Sequence, residues 1–285
     1  MSDIKLALAR AMVKTAARFS PSILDGSAYQ KGNAGSEKKE SRVITLFSTK
    51  GGVGKTVIAT NLAVYWALQN KNVCLVDLDL QFGDVGLMLK IEPRRNILDA
   101  LQAGSRLDKE MISNLLLQHD ESGLRVLLAP VKPDVTRTIE PRQIANILHL
   151  LRELADIVIV DMPSSFDQTA LEVIDASDKI MMITSMDLPS IKSSKVAYGL
   201  LEILNMPPEK VELVLNRADT KVGLELEEIE RSVGKDISWA IPSDRAVPRS
   251  INLGVPFIVN APRSDVSKSF EKMKRLSLSQ KVEVI

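Results

Sequence analysis

The stretch Lys50-Gly51-Gly52-Val53-Gly54-Lys55-Thr56 decides the fold, because it joins a strand-like run to a helix-like segment. An apolar, β-branched run at 43–47 precedes it, and a helical pattern at about 57–69 follows. Glycines let consecutive backbone N–H groups turn towards phosphate oxygens, and the start of a helix adds partial positive charge. The flanking elements favour a phosphate-binding loop over a glycine-rich turn that carries Lys-Thr by chance.

The loop also predicts which side chains would hold a nucleotide. Lys55 is expected to reach the β- and γ-phosphates, and the Thr56 hydroxyl is expected to ligate Mg²⁺. The predicted nucleotide contacts of the loop are Gly51, Gly52, Val53, Gly54, Lys55, Thr56 and Val57. The sequence therefore predicts a nucleotide-binding protein that uses Mg²⁺.

Two other strand-like runs end in carboxylates. Asp77 and Asp79 end a run that begins at Val73, and their alternate spacing places both on one side of the strand. We expect them at the carboxyl edge of the sheet, beside the loop. Asp161 follows the apolar residues 157–160 and is expected to hold a water on Mg²⁺. Without the loop, a solvated strand end or a cap would explain these carboxylates equally well.

Strand-like runs and helical patterns alternate along the chain. Some runs, such as 157–160, are apolar on both faces, as expected of a parallel sheet that is covered on each side. We therefore predict an α/β fold: a mostly parallel, twisted sheet of about seven to eight strands, flanked by helices on both faces. The predicted strands lie near 43–48, 73–78, 124–129, 157–161, 179–184, 211–215 and 237–241. The predicted helices lie near 56–69, 96–117, 140–155, 167–176, 189–205, 223–233, 244–252 and 265–279.

Composition excludes several classes of protein. The net charge is +1, which does not indicate a wholesale nucleic-acid binder. The one cysteine, Cys74, excludes a disulfide within the chain and argues against iron–sulfur ATPases, which need paired cysteines. No apolar run reaches the roughly eighteen residues of a membrane span, and no signal-peptide core is present. We therefore expect a cytoplasmic chain.

Lys50 adds a second lysine to the loop, five residues before Lys55. Together with the two aspartate segments, this pattern resembles the deviant Walker A ATPases of the MinD/ParA family, and most of all the CpaE/TadZ pilus-assembly ATPases. The resemblance covers roughly 42–278 and implies a P-loop NTPase of the SIMIBI, MinD-like fold. Phrases at 79–84, 129–133 and 252–256 are closer to CpaE/TadZ than to MinD. Typical CpaE proteins carry a receiver-like domain before the ATPase, and about forty residues are too few for one.

The resemblance implies a role for each site residue. Lys50 would cross a dimer interface to the partner's nucleotide, although a solvated lysine is the alternative. Asp79 would position or activate the attacking water, while Asp77 would support Mg²⁺. Asn216, whose amide matches the N6/N7 edge of adenine, would bind that ring beside Arg217 and a loop at Pro242. The predicted catalytic residues are Lys50, Lys55 and Asp79, and the predicted metal residues are Thr56, Asp77 and Asp161.

The two ends of the chain have patterns of their own. Residues 1–19 predict an amphipathic, basic helix or tail, and 20–41 a flexible linker before an ATPase domain at 42–285. Binding of 1–19 to a membrane or a partner, and a loosely ordered tail, are both left open. The segment 265–285 is either the last helix of the domain or a MinD-like membrane tail.

The primary hypothesis is a slow ATPase that forms a homodimer with ATP and Mg²⁺ and so acts as a dimerisation switch. Its output would be the positioning of a pilus or secretion machine, with assembly proteins as partners. It would be cytoplasmic, with a peripheral contact at the inner face of the membrane through 1–19. The alternatives are a ParA-like partition ATPase on nonspecific DNA and a MinD-like membrane-bound regulator of division site or flagellar number.

Overall fold

An eight-stranded sheet forms the centre of the molecule. The computed structural model describes residues 41–132, 139–219, 223–271 and 273. Its strands are β1 (Arg42–Phe47), β2 (Val73–Asp77), β3 (Leu117–Gln118), β4 (Arg125–Leu127), β5 (Ile157–Asp161), β6 (Lys179–Ser185), β7 (Val211–Asn216) and β8 (Ile237–Ile241). They lie in the order β3-β4-β2-β5-β1-β6-β7-β8, and only the β3–β4 pair is antiparallel. The predicted α/β sheet is confirmed.

Helices cover both faces of this sheet. The described helices are α1 (Lys55–Ala67), α2 (Val85–Met88), α3 (Ile97–Ala103), α4 (Lys109–Leu115), α5 (Pro141–Arg152), α6 (Gln168–Ala176), α7 (Leu188–Ile203), α8 (Leu226–Val233), α9 (Ala246–Leu253), α10 (Phe257–Asn260) and α11 (Asp265–Phe270). One apolar core packs α1, α2, α10 and α11 against the sheet, and the other packs α3 to α8 against the opposite face.

The central strand β5 shows why these runs form parallel strands. All five of its residues are buried between β1 and β2. Val158 and Val160 join the core on the α3–α8 side, while Ile157 and Ile159 join the core on the α1 side. Successive side chains point to opposite faces, so a strand covered on both faces must be apolar at every position. The only carboxylate, Asp161, is therefore delivered to the carboxyl end of the strand.

Arg152 clamps the opposite, amino edge of the sheet. Its guanidinium donates to the carbonyl oxygens of Ser41 and Ala176, each at 2.8 Å, and forms an ion pair with Asp178 at 2.7 Å. These contacts tie the start of β1 to the ends of α5 and α6. The clamp fixes the strand that leads into the phosphate-binding loop.

The seven predicted strands are confirmed, but the predicted single helix at 96–117 is wrong. Gly104, at φ +56°, ends α3, and the Asp108 side chain starts α4 by accepting from the Met111 N–H at 2.8 Å. The two-residue strand β3 then follows, too short to show a period of its own. Predictions for 1–19 and 20–40 fall outside the described residues, as does most of 265–279 beyond α11. Within the described ranges, no helix has the length and apolarity needed to cross a bilayer.

Candidate nucleotide site

The phosphate-binding loop lies between the end of β1 and the start of α1. Gly52 and Gly54 have φ of +76° and +97°, a region that favours glycine. A Cβ on Gly54 would lie 2.5 Å from Asn216 Nδ2, so this position has no space for a side chain. The loop therefore delivers its backbone N–H groups to the first turn of α1, where an anion is favoured. Val57, also predicted to contact the nucleotide, packs partly buried against the core on this face.

Lys55 is the first residue of α1, and its side chain turns into the protein. The residue is 8% exposed, and its Nζ donates to Ser164 Oγ at 2.6 Å. Burial lowers the pKa of Lys55, while the charges of Asp161 and Asp79 act in the opposite direction. The structure therefore brings two of the predicted site residues, Asp79 and Asp161, close to a third, the buried Lys55.

Asp77 and Asp161 are neighbours in register at the carboxyl ends of β2 and β5, and each is 1% exposed. The Asp77 carboxylate accepts from the backbone N–H groups of Asp79 at 3.1 Å and Val85 at 3.3 Å. Burial, and next the charge of Asp161, raise the pKa of Asp77 well above its usual value. Two carboxyl groups this deeply buried side by side are typical of a functional site.

Asp161 is a buried carboxyl group whose two oxygens accept no hydrogen bond from the described residues. Burial raises its pKa to about 7, although the nearby Thr56 hydroxyl and the Lys55 ammonium favour the charged form. Thr56 is close enough to act on this pKa, yet neither carboxylate oxygen accepts a hydrogen bond of good geometry within the described chain. A buried carboxylate without donors carries a free-energy cost that a cation or an ordered water would remove.

These residues suit Mg²⁺, which needs few protein ligands, better than a metal ion whose ligands are all protein side chains. No group of three or more His, Cys, Asp or Glu side chains in the described ranges is arranged to hold an ion. Mg²⁺ commonly uses one or two protein ligands, keeps several waters and takes the rest from phosphate oxygens. The Thr56 hydroxyl and Asp161 would form such a sparse set of ligands, with Asp77 in register beside Asp161.

Asp79 begins a tight turn that is packed onto Asp77. Its Oδ1 accepts from the Phe82 N–H at 3.1 Å, and the residue is half-buried. A Cβ on Gly83 would lie 2.4 Å from Asp77 Oδ2 and 2.6 Å from Ala129 Cβ. The turn is therefore held against the buried carboxylate, and a change at Asp77 would be transmitted directly to Asp79.

Lys50 is exposed at the rim of the site, and its backbone N–H donates to Ser48 Oγ at 3.1 Å. Burial acts to raise the pKa of Asp187, but hydrogen bonds from Ser185 and Ser190, with a smaller contribution from the charge of Lys50, lower that pKa overall. Asp187, Ser185 and Ser190 were not predicted from the sequence as site residues. A cap at the start of α7 was the available signal, because Asp187 accepts from the Ser190 N–H at 2.9 Å.

Asn216, Arg217 and Pro242 lie together at the carboxyl ends of β7 and β8, where Asn216 is in register with Ile241. The Asn216 amide donates to the Val53 carbonyl at 2.8 Å, and its Oδ1 accepts from the Arg217 N–H at 3.0 Å. Asn216 therefore braces the phosphate-binding loop, a role that the sequence did not suggest. The contact of Asn216 with adenine stays a prediction.

Comparison with known proteins agrees with this geometry. The family model described as CobQ/CobB/MinD/ParA nucleotide binding domain matches residues 44–257. The septum site-determining protein MinD of Thermotoga maritima is 27% identical over 241 residues, which are 82% of this chain and 86% of that protein. A ParA family ATPase from Chlorobium tepidum superposes with a TM-score of 0.75 at 30% identity, covering 82% of this chain and 99% of the other. MinD of Pyrococcus horikoshii, solved with Mg-ADP, shares the fold with a TM-score of 0.70 at 19% identity, over 82% and 94% of the two chains.

Proposed function

Because the chain belongs to the CobQ/CobB/MinD/ParA nucleotide-binding family, we propose that it is an ATPase that works as an ATP-dependent dimerisation switch. The observation that carries the proposal is the pair of lysines on one loop. Lys55 is buried in the pocket, whereas Lys50 is exposed at its rim. A lysine that its own pocket does not enclose is available to a nucleotide held by a second copy of the chain.

Each site residue has a part in this proposal. Lys55 and the loop N–H groups bind the phosphates, and Thr56 with Asp161 holds Mg²⁺, which supplies charge neutralisation when bound. Asp77 fixes the turn that carries Asp79, and Asp79 orients the attacking water. Lys50 from the second copy adds positive charge where negative charge develops. The adenine side of the pocket is formed by Asn216, Arg217 and Pro242.

We assign the output of the switch to the cell envelope, as the positioning of a pilus or secretion machine. Support for this comes from the phrases at 79–84, 129–133 and 252–256, which resemble CpaE/TadZ. The dimer would be cytoplasmic and meet assembly proteins or the inner face of the membrane. The second candidate is placement of the division site, which is favoured by the MinD relative. Deleting the gene separates the two: lost pili with normal septa support the first, and displaced septa support the second.

The dimerisation switch is tested by Lys50→Ala in an Asp79→Ala background, which is expected to slow hydrolysis and hold the ATP state. Light scattering should show an ATP-dependent dimer for Asp79→Ala alone and a monomer once Lys50 is also replaced. Fluorescent ATP should still bind the double variant, because Lys55 is intact. Lys109→Ala, at an exposed lysine on α4, is the matched control and should leave the dimer in place. A dimer that persists without Lys50 would refute its role across the interface.

A further inference from the structure

Among the described residues, the hydrogen bond that Lys55 Nζ donates is directed at the loop that follows β5. Ser164 Oγ accepts it at 2.6 Å. The same hydroxyl lies over the phosphate-binding loop, since a Cβ on Gly51 would be 3.9 Å from it. Ser164 therefore meets both the lysine and the backbone that are proposed to bind phosphate.

We propose that Ser164 is a positioning residue that engages Lys55 in the nucleotide-free chain and is displaced from it by nucleotide phosphate. This inference rests on the proposed nucleotide binding and adds a regulatory contact to that site. A buried ammonium needs a partner, and Asp161 and Asp79 supply charge but no hydrogen bond to it in the described residues. Ser164 meets that need until a phosphate oxygen, a stronger acceptor because it is charged, takes its place.

The neighbouring residues confine the resulting movement to a short segment. On one side Met162 is 2% exposed. On the other, the Phe166 ring packs against Phe47 with centroids 5.6 Å apart, and Asp167 caps α6 by accepting from the Ala170 N–H at 2.9 Å. Release of Ser164 from Lys55 therefore frees 163–165 without moving β5 or α6. Occupation of the pocket would in this way change the half-buried segment 163–165 beside Gly51.

The test is Ser164→Ala in the full chain, with dissociation constants for fluorescent ATP and ADP measured by titration. Removing the Ser164 hydroxyl should lower the dissociation constants of both nucleotides about fivefold, which corresponds to about 1 kcal/mol. This is less than the free energy of a full hydrogen bond to a charged group, because water replaces the hydroxyl. Ser164→Thr keeps the hydroxyl and should restore the wild-type affinity. Ser165→Ala removes the same atom from the adjacent residue and should shift the affinity less.

Hydrogen exchange of the wild-type chain gives a second readout that needs no variant. Nucleotide should speed exchange of the amides of Ser164 and Ser165 in the wild type, and Ser164→Ala should show fast exchange before nucleotide is added. Unchanged or weaker ATP binding by Ser164→Ala would overturn the inference, the latter by showing that Ser164 helps to hold the phosphate. A wild-type chain that binds no nucleotide would instead overturn the proposed function.

Discussion

Gly54→Ala is the substitution whose cost the structure defines best. The backbone at Gly54 has φ +97°, and placing an L-residue in the left-handed region costs about 1–2 kcal/mol. The new Cβ would also lie 2.5 Å from Asn216 Nδ2, so the amide must leave the Val53 carbonyl, which it now meets at 2.8 Å. Losing that hydrogen bond adds about 0.5–1.5 kcal/mol. We expect the free energy of unfolding to fall by about 1.5–3.5 kcal/mol in total.

Urea unfolding followed by circular dichroism measures this loss, and Gly234→Ala separates its two causes. Gly234 ends α8 with φ +85°, and a Cβ there meets nothing within 4 Å, so only the backbone term applies. In an Asn216→Ala background the contact is already gone, and Gly54→Ala should cost no more than Gly234→Ala. If the two glycine substitutions cost the same in the wild-type background, or if Asn216→Ala leaves the difference intact, the steric reasoning is refuted.

Two further predictions concern Asp161 and Arg152. Without metal or nucleotide, burial raises the pKa of Asp161 to about 7, so the native state keeps a proton that the unfolded state releases. The free energy of unfolding should therefore fall as the pH rises from about 4 to about 7. Asp161→Asn should remove part of that fall, as measured by urea unfolding at several pH values. If the free energy of unfolding of the variant falls with pH as steeply as that of the wild type, the prediction is wrong. Arg152→Ala removes a guanidinium that binds two carbonyl oxygens and Asp178. Because this side chain is partly exposed, we expect the free energy of unfolding to fall by only about 1–2 kcal/mol. A urea midpoint equal to that of the wild type would show that the clamp contributes nothing.

The sequence predicted the strands and the site residues that a local pattern of residues determines. Apolar runs such as 157–160 identified a buried strand, and the residue that ends it, Asp161, had to emerge at the carboxyl edge. The glycines of the loop predicted a turned backbone between strand and helix, and the structure adds that Gly52 and Gly54 have positive φ. The break near Gly104 was missed because the apolar periodicity continues on both sides of it, and α3 and α4 pack into the same core. Periodicity reports the buried face, not the continuity of the helix.

Local sequence patterns could not predict hydrogen bonds between segments that are far apart in the chain. Asn216 meets Val53 across 163 residues, and Ser164 meets Lys55 across 109. The sequence predicted that the ends of β5 and β7, which carry these side chains, lie near the nucleotide. Which atom bonds to which depends on the stagger of the parallel strands and the length of each loop, and neither has a local signature.

The buried charges explain why this pocket suits Mg²⁺ with a nucleotide rather than either alone. In the ligand-free chain, burial lowers the pKa of Lys55 and raises that of Asp161, so each group is held against its charged form. A phosphate beside Lys55 would favour the ammonium, but it would further disfavour a carboxylate at Asp161. A cation beside Asp161 would favour the carboxylate and disfavour the ammonium in the same way. Only a ligand that brings both charges relieves both residues, so the two halves of a metal–nucleotide complex should bind this site with mutual support.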